Sequence, residues 1–222
     1  MDSLDNRPED LGKPYFSQNR YYNEKALSLD NFHSFDKGEY KRKICCIDGG
    51  NNKIYETPSD SIHLLRVYFN IFKGKKRVEN IDPQSVYLKS KYKGEFIECE
   101  INPINDSIPL QKNRYRLKTE DLEERGLSSA GHTVRKYLEW QILGYAVKNF
   151  LDKGDIIVRD GVLQTSVEEE RKYAEEVYNI VLKNEVYLLG LAKTCSLRTT
   201  SGYPLIASVK FLARENNLKK WY

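Results

Sequence analysis

The chain has 222 residues and a mass of 26.0 kDa, enough for one large domain with a buried core and no need of a disulfide or metal staple. Its 36 basic and 32 acidic side chains leave a net charge of +4, so nucleic-acid binding would require a local basic patch. The longest apolar run, Val186–Ala192, falls far short of the roughly 20 residues of a membrane span, and 16 tyrosines with 8 phenylalanines are too many for a disordered chain.

The opening segment MDSLDNRPED has no apolar signal core. Cys45, Cys46, Cys99 and Cys195 form no CxxC pair and read as small core residues in a reducing compartment. A cytoplasmic protein is therefore expected.

Residues 1–40 are polar with scattered aromatics, which predicts an N-terminal arm with one helix near Gln18–Leu27. Residues 41–222 are expected to form the main domain. The apolar run Ile44–Asp48 ends in Asp-Gly-Gly-Asn-Asn, a turn cluster, and Lys53–Glu56 resumes an extended pattern, so the two predict a hairpin. Ser61–Phe72, rich in β-branched and aromatic residues, predicts a third, long strand. Residues 85–101, with a break at Gly94, suit a further hairpin.

Lys118–Phe150 is helical in composition, with an interruption over 126–131. In its second part Val134, Leu138, Ile142, Tyr145 and Phe150 recur as on an amphipathic helix. Asp155–Asp160 is a continuous apolar strand, Val167–Lys183 a helix, and Val186–Ala192 another apolar strand. Tyr203-Pro204 opens a last helix with Leu205, Val209 and Leu212 on one face. Continuous apolar strands between helices predict a parallel region buried on both faces. Three antiparallel strands followed by alternating helix and strand predict an α/β fold, a ribonuclease-H-like mixed sheet flanked by helices.

Two aspartates stand out by position. Asp48 precedes Gly49-Gly50 and Asp160 precedes Gly161, each at the expected end of a strand, where open α/β sheets carry functional groups. If those strands are neighbours the carboxylates repel, and such a pair calls for a shared proton or a divalent cation. Each aspartate alone is equally a turn former. Glu139 sits at the edge of the apolar helical stripe, either aimed at the sheet or paired with Arg135 at i,i+4.

Four motifs carry a resemblance to a known family. Ile44-Cys45-Cys46-Ile47-Asp48-Gly49-Gly50 resembles the apolar strand–Asp-Gly-Ser start of the NurA nucleases. Arg135-Lys136-Tyr137-Leu138-Glu139 is similar to that family's Arg- and Glu-bearing helix. Val158-Arg159-Asp160-Gly161-Val162-Leu163 resembles its strand–Asp-Gly-x-Leu motif, and Leu189-Gly190-Leu191-Ala192-Lys193-Thr194 its Gly-Ile-Ala-Lys-Thr/Ser strand. The family consists of ribonuclease-H-like nucleases that act in DNA end resection with a HerA-type hexameric ATPase.

The resemblance implies that Asp48, Glu139 and Asp160 hold manganese or magnesium, that DNA is the substrate, and that the protein is a homodimer. Carboxylate oxygens suit such hard cations, and two ions can cleave a phosphodiester without a protein nucleophile. Lys193 would contact a phosphate, or else is a solvated strand-end lysine. The chain departs from the family in having Gly50 for serine. Its histidines, His33, His63 and His132, all precede the fourth motif, whereas the family has a late active-site histidine and a longer C-terminus. A catalytically silent adaptor and another ribonuclease-H-like nuclease are the rival expectations.

Two basic clusters would either grip DNA phosphates or form ordinary solvated loops of a Lys-rich chain. Lys73, Lys75, Lys76 and Arg77 follow the third strand, with Arg135 near the carboxylates; Arg114, Arg116 and Lys118 surround Tyr115, which would stack on bases. His63 reads as a core or edge histidine.

Overall fold

The structure is a computed structural model that describes residues 10–15, 25–34, 38, 41–122, 126–165 and 167–221. In chain order its strands and helices are β1 (Pro14–Tyr15), β2 (Lys43–Glu56), β3 (Asp60–Lys73), β4 (Lys76–Asn80), β5 (Gln84–Lys93), β6 (Phe96–Pro103), β7 (Arg114–Lys118), α1 (Leu127–Phe150), β8 (Ile156–Asp160), α2 (Glu168–Lys183), β9 (Tyr187–Leu191), β10 (Arg198–Thr199) and α3 (Leu205–Glu215). They divide into two compact units, Tyr40–Ala192 and a smaller one made of Met1–Glu39 with Lys193–Tyr222.

The larger unit is a mixed α/β fold around an eight-stranded sheet, ordered β7-β6-β5-β3-β2-β8-β9 with β4 beside β3. The strands up to β7 pair antiparallel, while β2–β8 and β8–β9 are parallel. Three antiparallel strands followed by alternating helix and strand are present as expected, but the three are β2, β3 and β5, because the strands expected at 44–48 and 53–56 are one; β6 and β7 extend that edge. The β7 strand has no counterpart in the sequence expectation, whose helical stretch overlaps it only at Lys118. Beyond it Thr119–Asp121 is a single 3-10 turn, and α1 begins at Leu127 without the expected interruption over 126–131.

The first hairpin differs from expectation. β2 runs unbroken through Asp48-Gly49-Gly50-Asn51-Asn52 and pairs with β3 from Lys43↔Lys73 to Glu56↔Ser61. The chain reverses at 57–59, where Thr57 Oγ1 accepts hydrogen bonds from the amides of Ser59 and Asp60. The glycine that mimicked a turn is there for packing: a Cβ on Gly49 would lie 2.5 Å from Glu139 Oε1 on α1. Gly131, on α1, answers the same demand, since a Cβ there would lie 2.5 Å from His63 Nδ1 on β3.

Pleating sorts the sheet into two unlike faces. Cys45 and Ile47 of β2, Leu65, Val67, Phe69 and Ile71 of β3, and Ile157 of β8 are buried beneath α1. α1 lies between this face and α2, so Tyr137, Leu138, Trp140, Ile142 and Leu143 are all buried and no single apolar stripe exists. The β8–α2–β9 crossover keeps α2 on the α1 side, where Trp140 Nε1 donates to Glu170 Oε1 at 3.1 Å.

Among the described residues of the larger unit, no helix covers the other face of the sheet, the open face. Tyr187, Leu189 and Leu191 of the edge strand β9 are exposed, so the parallel region is covered on one face and not on both. Cys46 lies on this open face and is exposed, as is Cys195, so only Cys45 and Cys99 are core thiols.

In the smaller unit β1 pairs antiparallel with β10, and Thr200 Oγ1 accepts from the Lys13 amide. α3 follows Pro204 as expected, with Ser208 and Ala213 buried. Most of the helix expected near Gln18–Leu27 falls outside the described residues; residues 25–27 are not helical. Among the described residues no helix is long and apolar enough to cross a membrane.

Candidate functional site

The register of the central parallel pair brings the two aspartates together. The β2–β8 ladder runs from Ile44↔Ile156 to Ile47↔Arg159, so the next position on each strand is Asp48 and Asp160. Neighbouring strands lie about 4.8 Å apart, and residues level across a ladder share a face. Ile47 and Arg159 are buried under the helices, which puts Asp48 and Asp160 on the open face. The side chain of Asp48 is oriented by its surroundings: Oδ1 accepts from the Gly49 amide at 2.8 Å and Oδ2 from the Tyr68 hydroxyl at 3.1 Å. That hydrogen bond, with the Asp48 charge, pushes the Tyr68 phenol up.

Glu139 approaches from the helix side, against Gly49. It is 3 % exposed, and both of its oxygens are engaged. Arg135 donates to Oε1 and also to the Gly49 carbonyl at 3.2 Å, while Arg159 donates to Oε2 at 3.2 Å. Burial pushes the Glu139 carboxyl above its ordinary range; the two guanidiniums oppose that shift and the Asp48 charge adds to it. The i,i+4 pair with Arg135 and the approach to the sheet, posed as alternatives by the sequence, are both present.

Arg159 is the hub that sequence reasoning missed. Its guanidinium donates to the Val162 carbonyl at 2.6 Å, lies 3.7 Å from Glu170 Oε1, and sits 4.6 Å over the Trp140 ring. Glu170 is 2 % exposed, so two buried carboxylates face two arginines. The Arg159 bond to Val162 and the Tyr178 hydroxyl on the Leu163 carbonyl at 2.8 Å pin the loop that leaves Asp160. The available signal was a lone arginine inside the apolar strand DIIVRD; Glu170, in an acidic run, offered none.

Carboxylate oxygens such as those of Asp48 and Asp160 are the hard donors that a divalent cation such as manganese or magnesium selects. Glu139, held by two guanidiniums, does not join them as a ligand in this arrangement. Among the described residues no group of three or more His, Cys, Asp or Glu side chains is gathered for a metal ion.

Lys193 follows by two positions Leu191, the partner of Asp160 in the β8–β9 ladder. It begins the second segment of the smaller unit. Lys73 pairs with Lys43, five positions before Asp48 on β2, which places Lys73, Lys75, Lys76 and Arg77 at about 16 Å from the aspartates, at the far end of the sheet. Arg114, Arg116 and Lys118 project from the open face of β7, but Tyr115 points inward, where Gln141 donates to its hydroxyl at 3.1 Å. Tyr115 therefore cannot stack on a base. His63 is buried, Nδ1 lies 2.9 Å from Asn51 Oδ1, and burial holds its pKa down.

No protein-family model matches the chain, and no curated protein matches it. Among solved structures it is similar to the NurA nuclease from Sulfolobus solfataricus, with a TM-score of 0.41 and 14% identity over 82% of this chain. The chain spans 57% of the length of that structure.

Proposed function

We propose that the chain is a metal-dependent nuclease of the NurA type that hydrolyses phosphodiester bonds in DNA. The observation that carries the reading is the placement of Asp48 and Asp160 level with each other on adjacent central strands, on an open face. Adjacent strands lie about 4.8 Å apart, within the span over which one cation takes oxygens from two carboxylates. A magnesium or manganese ion held there would supply Lewis acidity at the phosphodiester. Asp48 would bind it with the geometry that Tyr68 and the Gly49 amide impose. Asp160 would be held in place through the loop that Arg159 and Tyr178 pin. Glu139 and Arg135 would shape the rim at Gly49.

The motif resemblance extends the proposal to DNA end resection with a HerA-type hexameric ATPase and to a homodimer, which co-purification with such an ATPase and sedimentation would test. Cleavage itself is tested on end-labelled linear DNA with manganese or with chelator. Wild type should degrade it only with the metal, and Asp48→Asn and Asp160→Asn should not. Retained cleavage in either variant would overturn the site.

A second reading has its own support. The clamping of Glu139 by Arg135 and Arg159 removes the third carboxylate, as in a catalytically silent adaptor. Binding of DNA or the ATPase without any metal-dependent cleavage by wild type would favour it.

A further inference from the structure

The open face continues well beyond the aspartates. On β5, β6 and β7 it carries six basic side chains, Lys89, Lys91, Lys93, Arg114, Arg116 and Lys118, against two acidic ones, Glu98 and Glu100. A basin of about 740 Å³ lies here, lined by Lys89, Lys91, Arg114 and Arg116 against Asp60, Glu98 and Glu100, with Tyr55 at its side. The charges are only loosely spent within the protein. Lys91 lies 3.6 Å from Asp60 and Arg114 3.8 Å from Glu100, both exposed pairs that water and phosphate compete for easily.

Aromatic rings share the face. Tyr87 is 43 % exposed and Tyr55 52 %, while Arg116 sits 3.9 Å over the Phe96 ring. Tyr87 stands beside Leu64, four residues along β3 from Tyr68, the partner of Asp48. That is about 13 Å along the sheet, and the exposed Arg66 lies between the two levels.

We infer that this face is a binding platform for a single-stranded polynucleotide, running from β7 past Tyr87 and Arg66 toward Asp48. Charge selects a polyanion, and rings lying on a sheet can be used only by bases that are unpaired. Duplex bases are stacked inside the helix and would leave Tyr87 and Tyr55 idle. The direction of the strand toward the aspartates rests on the nuclease reading; binding to the platform does not.

The test is fluorescence anisotropy of labelled oligo-dT and oligo-rU, in chelator so that nothing is cut. Wild type should bind one or both, and an unlabelled duplex should compete poorly. Tyr87→Ala should weaken binding about fivefold or more with the salt dependence unchanged, as expected on losing a stacked base. The double variant Lys89→Glu/Arg116→Glu should weaken it further and flatten the log–log salt slope by about 1.4, the share of two phosphate contacts on a single strand. All three side chains lie on the open face, and an unchanged circular dichroism spectrum verifies the fold.

Variants that bind like wild type, a duplex that competes as well as the single strand, or a wild type that binds no single strand would each overturn the platform. Cleavage plays no part in this readout. The platform can therefore fail while Asp48 and Asp160 stand as a nuclease site, and the reverse.

Discussion

Glu139 on α1 and Gly49 on β2 meet so closely that a methyl group on residue 49 would lie 2.5 Å from Glu139 Oε1. The carboxylate cannot swing aside, because Arg135 and Arg159 hold both oxygens. Gly49→Ala should therefore destabilise the protein by about 1–3 kcal/mol, the usual cost of overpacking. Gly50 has open space around it, so Gly50→Ala should be neutral or stabilising by up to about 1 kcal/mol. Urea melts of the two variants check the contrast; equal effects would place Glu139 elsewhere.

The raised pKa of Glu139 has a definite sign in a pH titration of stability. A carboxyl whose folded pKa lies above its unfolded value adds stability in its protonated form. That contribution is full below 4.5 and is lost as pH rises through the folded value. Melting wild type beside Glu139→Gln across this range removes the contribution of all other groups. The stability difference, wild type minus variant, should fall as pH rises above 4.5. A difference that grows with pH would show that Arg135 and Arg159 outweigh burial.

Arg159 separates two buried carboxylates, Glu139 and Glu170. Arg159→Met should cost about 3–5 kcal/mol, because it strands charge in the interior. Adding Glu170→Gln to that variant should recover part of the loss. A double variant no more stable than Arg159→Met would mean that Arg159 acts through Glu139 and the Val162 carbonyl and not through Glu170.

The two faces of β2 can be read from its thiols. Cys45 is buried and its thiol is pushed far up by burial, Cys99 is pushed up to about 11, and Cys46 and Cys195 are exposed. A thiol reagent should label two of the four cysteines in the native protein and all four after unfolding. Cys46→Ser should remove one of the two reactive sites. Rapid labelling of Cys45 would reverse the pleat and move Asp48 under the helix.

Strands and helices with strong periodicity were legible before folding: β3, the β5–β6 hairpin at Gly94, β8, α2 and α3 all fall where pattern and breakers put them. Asp48-Gly49-Gly50 misled because a glycine needed for helix approach and a glycine needed for a turn look the same in one dimension. β7 was hidden because its outward residues are the basic Arg114, Arg116 and Lys118, leaving only Tyr115 and Leu117 as an apolar signal. At the site, Asp160 could be named from a strand end, and Asp48 from an Asp-Gly pair that imitates one, since β2 runs on through it. Their level placement needed the β2–β8 register, and the capture of Glu139 by Arg159 needed contacts between residues far apart in the chain.

Manganese binding tests the central claim most directly, through the electron paramagnetic resonance signal of the free ion, which disappears on binding. Titrating wild type, Asp48→Asn and Asp160→Asn with manganese asks whether the two aspartates form one site. Wild type should take up the ion, and each single variant should lose that uptake, because each removes half of the same donor pair. Uptake by Asp48→Asn or Asp160→Asn equal to that of wild type would contradict the claim.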